Sequence, residues 1–80
     1  MEAINMKLKY QLSEDQQQKL VENIMQAGYF AEKFNGARED DVFTTIMQVY
    51  YILGFEAEEI AARSLVYHQK LKKQEQQLIN

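Results

Sequence analysis

Eighty residues form at most one domain, and 46% hydrophobic with 26% charged residues mark a globular chain rather than a disordered tail or a membrane span. With no Cys, one His and three Gly outside any phosphate-cradling pattern, there is no disulfide framework, thiol nucleophile, zinc knuckle, His-cluster metal site, P-loop or dinucleotide fingerprint. The net charge of −3 is uneven: residues 13–62 carry ten acids against three bases, and residues 63–80 carry Arg63, Lys70, Lys72 and Lys73 against Glu75 alone.

The first elements are read from hydrophobic period. Ile4, Met6, Leu8, Tyr10 and Leu12 alternate with Asn5, Lys7, Lys9 and Gln11, which predicts a short β-strand within an N-terminal arm of residues 1–12. A lone strand cannot satisfy its own backbone groups. No other segment alternates, so the expected mate is the same strand of a second copy, or another protein. Lys7 and Lys9 interrupt the only apolar run near the N-terminus, so no signal peptide is read and a cytoplasmic location is expected.

Three helices are predicted over residues 13–77. Ser13 with Gln16 forms a capping box, and Glu14 and Asp15 suit the positive end of a helix dipole. Leu20, Val21, Ile24, Met25, Ala27, Ala31 and Phe34 follow at helical spacing until Asn35-Gly36 stops the run. The second helix begins within Arg38–Asp41 on a first turn of acids and ends at Leu53, with Gly54 as a left-handed cap and Phe55 as the apolar residue after it. Its circumference is mostly apolar, which predicts the central place in the bundle. The third helix, over residues 57–77, is about 32 Å long against about 20 Å for the second, so its end is expected to overhang. A domain this small buries only about 60–65% of its unfolded surface, and shared burial in a homodimer is expected.

Candidate chemistry is sparse. Glu39, Asp40 and Asp41, and the pair Glu58 and Glu59, sit where helix N-termini favour acids, and adjacent helical carboxylates diverge by about 100°. Ser64 and His68 are one turn apart, but nucleophilic catalysis also needs an orienting acid and oxyanion donors, and nothing in the sequence indicates them. Five Tyr, four Phe and four Met carry more information, because these side chains make large, adaptable interfaces. Phe30, Phe34, Phe43 and Met47 are assigned to the core. Tyr29, Tyr50, Tyr51 and Tyr67 are placed at its edge, where a hydroxyl finds water or a partner.

Two short stretches resemble DNA-binding modules. Residues 4–27 resemble the start of a ribbon-helix-helix repressor, a resemblance that implies Asn5, Lys7, Lys9 and Gln11 reading the major groove as a dimeric ribbon. The family's second helix should follow Gly28 closely, and here Asn35-Gly36 breaks the chain instead. Residues 53–61 resemble the opening of a helix-turn-helix, but Arg63–Lys73 shows no turn before a recognition helix. Neither match is long enough to assign a family.

The sequence therefore predicts one mainly α domain over residues 1–80: a short N-terminal strand and a three-helix bundle, dimeric. The leading function is a non-enzymatic protein-interaction module, a small regulator, adaptor or inhibitor of a kind common in phages and other mobile elements. Tyr50, Tyr51, Tyr67, Leu71 and Leu78 are its expected partner contacts. The alternative is a dimeric DNA-binding regulator using Asn5, Lys7, Lys9 and Gln11 with Lys70, Lys72 and Lys73. No catalytic residue, metal or cofactor is expected.

Overall fold

A computed structural model describes the backbone of residues 8–79 and the side chains of residues 8–76. A short 3-10 turn, Lys9–Gln11, leads into α1 (Glu14–Asn35), α2 (Glu39–Leu53) and α3 (Ala57–Ile79). The capping box at the start of α1 is formed: Gln16 N–H donates to Ser13 Oγ at 3.2 Å, and Ser13 N–H donates to Gln16 Oε1 at 2.9 Å. Both helix stops are left-handed glycines, Gly36 at φ 71° and Gly54 at φ 96°. After Gly54 the Phe55 N–H donates to the Tyr50 carbonyl at 2.9 Å, closing the last turn of α2 as the chain reverses.

The predicted strand is absent among the described residues. Gln11 N–H donates to the Leu8 carbonyl at 2.9 Å and Leu12 N–H to the Lys9 carbonyl at 3.0 Å, so the backbone satisfies itself locally. A strand here would need a mate the chain lacks. Leu8 and Leu12 are four residues apart as well as alternating. The turn leaves Leu8 packed on the core and Tyr10 71% exposed. Dimerisation by strand pairing loses its basis with the strand.

The helices are also arranged differently from the expectation. α1, not α2, is the central element, because both α2 and α3 pack along it while α2 and α3 have little contact with each other. α2 runs antiparallel to α1: Gly28 lies against Val42 and Ile46, and Val21 against Tyr50. α3 runs parallel to α1, with Arg63 bonded to Gln17 and Lys70 to Glu22. At 22 and 23 residues, α1 and α3 are nearly matched, so α3 lies alongside α1 rather than projecting from a short bundle. Among the described residues, no helix is long and apolar enough to cross a membrane.

The core gathers at one end. Val21, Tyr50, Leu53, Phe55 and Ile60 are its buried hydrophobic residues, and the Tyr50 and Phe55 rings meet edge-on at 5.9 Å. Polar bonds tie the same end together. Lys9 Nζ pairs with Glu59 at 2.6 Å, Gln18 donates to the Arg63 carbonyl at 2.9 Å, and Arg63 donates to Gln17 Oε1 at 2.8 Å. Gln17 in turn donates to the Lys9 and Leu12 carbonyls, fastening the 3-10 turn to α1.

Candidate partner-binding surface

At the other end of the bundle the helices part and the apolar residues stay outside. Tyr29 is 62% exposed, Phe30 52%, Phe34 67% and Phe43 65%. The three Phe of this group were expected in the core. They stand outside because, among the described residues, α2 and α3 have little contact with each other and only flank the later turns of α1, leaving open grooves instead of closing over these rings. Phe55, the residue after the Gly54 stop, is the one Phe among the buried hydrophobic residues.

Three concavities result. Between α2 and α3, with α1 as floor, lies a cleft of about 420 Å³ lined by Met25, Tyr29, Phe43, Met47 and Ile60. Glu32, Glu39 and Asp40 also line it, as do Ser64 and His68. Beside it, Tyr29, Phe30, Phe34, Tyr67 and Leu71 line a groove of about 360 Å³ between α1 and α3. The Phe30 and Phe34 rings stack at 5.5 Å, with the Lys33 ammonium 5.7 Å from the Phe34 centroid. On the side of α1 away from α3, a groove of about 490 Å³ runs along α2, lined by Ile24, Ala27, Ala31, Thr45 and Val49. Tyr29 borders the first two, so cleft and groove form one continuous aromatic surface. Met25 and Met47 add side chains that repack easily against a guest.

Of the partner contacts expected from sequence, Tyr67 and Leu71 line the α1–α3 groove. Tyr50 is elsewhere. It is 1% exposed, its hydroxyl donates to the Val21 carbonyl at 3.1 Å, and burial pushes its pKa up to about 12. It is a core residue, its hydroxyl and ring engaged with Val21 and Phe55. Tyr51 is 62% exposed on α2 and lines none of the three concavities. The side chain of Leu78 lies outside the described residues. Sequence reasoning missed Phe30, Phe34 and Phe43 as surface, while Met47, assigned to the core, does pack against it. The helical spacing of the three Phe matches a core stripe, and only the divergence of α2 from α3 distinguishes the two.

The cations of the nucleic-acid reading are partly committed. Lys9 is held by Glu59, and Lys70 by Glu22 at 2.8 Å, while Lys72 and Lys73 are exposed. Burial acts to raise the Glu22 carboxyl, but hydrogen bonds from Lys70 and Gln18 outweigh it and hold the group below its ordinary value. The hydrogen bond from Lys9 likewise holds Glu59 low. Gln11 accepts from the Leu8 N–H at 3.3 Å within the 3-10 turn. Asn5 and Lys7 lie outside the described residues, and the ribbon that would have presented them with Lys9 and Gln11 has no strand here.

Ser64, His68 and three acids share the α2–α3 cleft, but no hydrogen bond links Ser64, His68 and these acids among the described residues, as a nucleophile, base and orienting acid require. Among the described residues no group of three His, Cys, Asp or Glu side chains is placed to hold a metal ion. No protein-family model, curated protein or solved structure matches this chain.

Proposed function

We propose that this chain is a non-enzymatic protein-interaction module: a small cytoplasmic regulator, adaptor or inhibitor, dimeric through helix packing, that works by covering part of a partner protein. The single observation that carries this reading is the exposed aromatic pair Tyr29 and Phe43 around an apolar cleft that also holds Met25 and Met47. Exposed aromatic and Met side chains in one contiguous, concave patch are costly in water and supply the anchors of protein interfaces. The acids lining the cleft favour a partner segment that brings Lys or Arg beside its apolar anchors.

Affinity capture from the source cells, with and without nuclease, tests the reading. A specific protein that survives nuclease and is lost from the Phe43→Glu chain is the expected result. Phe43 is largely exposed, so that substitution leaves the fold intact. Sequence-selective DNA recovered in place of protein, or capture that Phe43→Glu does not affect, overturns the reading.

A further inference from the structure

We infer that the free face of α1 is the seam of a two-fold symmetric dimer, in which a second copy of this chain lies antiparallel across it with Ala27 on the axis. The seam deepens the dimeric part of the proposed function: it takes Phe30 and Phe34 from the aromatic surface and leaves the α2–α3 cleft, with Tyr29 and Phe43, to the partner. Leu20, Ile24, Ala27, Ala31 and Phe34 recur at the 3.5-residue spacing of a helix-pairing stripe with Phe30 beside it; none is charged, and Leu20 and Ile24 also pack partly against the core. α3 leaves most of this stripe open, since its bonds to α1 run through Gln18 and Glu22, and it borders only Phe30 and Phe34 at the stripe's edge. α2 forms a wall beside it, brought close by Gly28, where even a Cβ would come within 2.5 Å of Ile46 Cδ1 and 2.8 Å of Val42 Cγ1.

The pattern itself selects a second copy. Leu20, Ala27 and Phe34 are spaced seven apart as large, small, large, which reads alike in both directions about Ala27. An antiparallel copy therefore sets Phe34 of each chain over Leu20 of the other, and Phe30 over Ile24, while the small Ala27 lets the backbones approach at the axis. This self-complementarity is what an isologous interface needs. Antiparallel packing also opposes the two helix dipoles.

The area suits a dimer of modest affinity. Phe30, Phe34 and Ile52, the last seven residues on from Thr45 in the α2 wall, are 52%, 67% and 71% exposed. With Ala27, Ala31, Thr45 and Val49 between them, they offer on the order of 500 Å² per copy, below the roughly 800 Å² each partner gives to a standard interface and in keeping with a dimer of micromolar affinity.

Light scattering on the full chain is expected to give twice the 9.5 kDa chain mass at micromolar concentration. Ala27 is already exposed in the single copy, so Ala27→Glu should weaken the dimer about tenfold or more while the helical circular dichroism stays unchanged. The sequence has no Cys, so Ala27→Cys reads the register directly. A residue on the axis meets its own copy, and mild oxidation should give a disulfide-linked dimer. Thr44→Cys, exposed on α2 outside the three concavities, should stay unlinked. Phe43→Glu, in the α2–α3 cleft, should leave the mass unchanged, which separates the seam from the cleft reading. A 9.5 kDa species at every concentration overturns both the seam and the dimer. A dimer indifferent to Ala27→Glu, or one that Thr44→Cys links and Ala27→Cys does not, overturns the seam alone.

Discussion

The two ends of the bundle use similar residues for opposite purposes. Where α2 turns into α3, Tyr50, Leu53, Phe55 and Ile60 close on Val21, and polar bonds from Lys9, Gln17, Gln18 and Arg63 seal the edge. Where α1 turns into α2, Tyr29, Phe30, Phe34 and Phe43 remain in water. Composition does not separate these ends, since both are aromatic and helical. Coverage does: the Gly54 reversal returns α3 against the first end, while among the described residues the second end is flanked by α3 but not closed. One end holds the fold, and the other retains apolar surface whose burial remains to be gained on binding.

The largest expected effect tests that division. Phe55→Ala and Leu53→Ala each remove a fully buried side chain and should cost about 2–5 kcal/mol, enough to unfold much of so small a domain. Phe34→Ala and Phe43→Ala, at the open end, should change the stability of the single copy by less than about 0.5 kcal/mol. Urea unfolding at concentrations low enough to keep the chain monomeric checks both pairs. Equal losses at the two ends would mean that the open end is packed in solution.

The contrast also marks where the sequence was legible. Local rules located the helices: the Ser13–Gln16 capping box, the left-handed Gly36 and Gly54, and the acid-rich first turns all appear where spacing placed them. Non-local questions were not legible. Leu8, Tyr10 and Leu12 alternate as a strand would, but alternation reports a half-buried segment and does not supply the mate a strand requires. The apolar girth of α2 was read as centrality, whereas it faces α1 on one side and open grooves on both flanks. Tyr50 and Tyr51 are neighbours in sequence, yet one is core and the other surface, since successive helical residues diverge by about 100°. Tyr67 and Leu71 were placed at the candidate surface by their residue types and positions. The Phe residues that dominate it were not, because a core stripe and a docking stripe share one helical period.

A smaller effect is expected at the waist between the two ends. Gly28 is buried inside α1, and a Cβ there would press on Val42 Cγ1 at 2.8 Å and Ile46 Cδ1 at 2.5 Å. The far end of Ile46 can rotate aside, but branched Val42 is stiff. Gly28→Ala should therefore cost about 1–2 kcal/mol, overpacking outweighing the gain of up to about 1 kcal/mol in helix propensity. A stabilised variant would show that α1 and α2 are not in close approach at this point.

Tyr50 gives a pH signature to the closed end. Its hydroxyl donates to the Val21 carbonyl, and Tyr50→Phe should cost about 1 kcal/mol through that bond. Burial raises the folded-state pKa from its usual 10 to about 12. The folded chain thus holds a proton that the unfolded chain releases. The stabilising effect is complete below pH 10 and declines as pH rises toward 12. Unfolding curves across that range should fall more steeply for the native chain than for Tyr50→Phe.

The smallest effect lies at the Glu22–Lys70 pair, part-way along α1 toward the open end. Lys70 is half exposed there, with 51% of its side-chain surface in water against 18% for Glu22. Solvent screening limits such a pair to about 0.2–1 kcal/mol, so Lys70→Ala should be nearly silent at neutral pH. Acid reveals it more clearly. The Glu22 carboxyl is held below its ordinary value of 4.5 in the folded chain, so its contribution is present above that pH. It disappears as pH falls through the lowered folded value, because the unfolded chain takes up the proton first. Glu22→Gln removes this dependence, and its stability should approach that of the native chain as pH drops below 4.5. Salt should narrow the gap between them at neutral pH, as expected of a partly exposed pair. A gap that persists unchanged from neutral pH into acid would show that Glu22 acts through packing rather than through its charge.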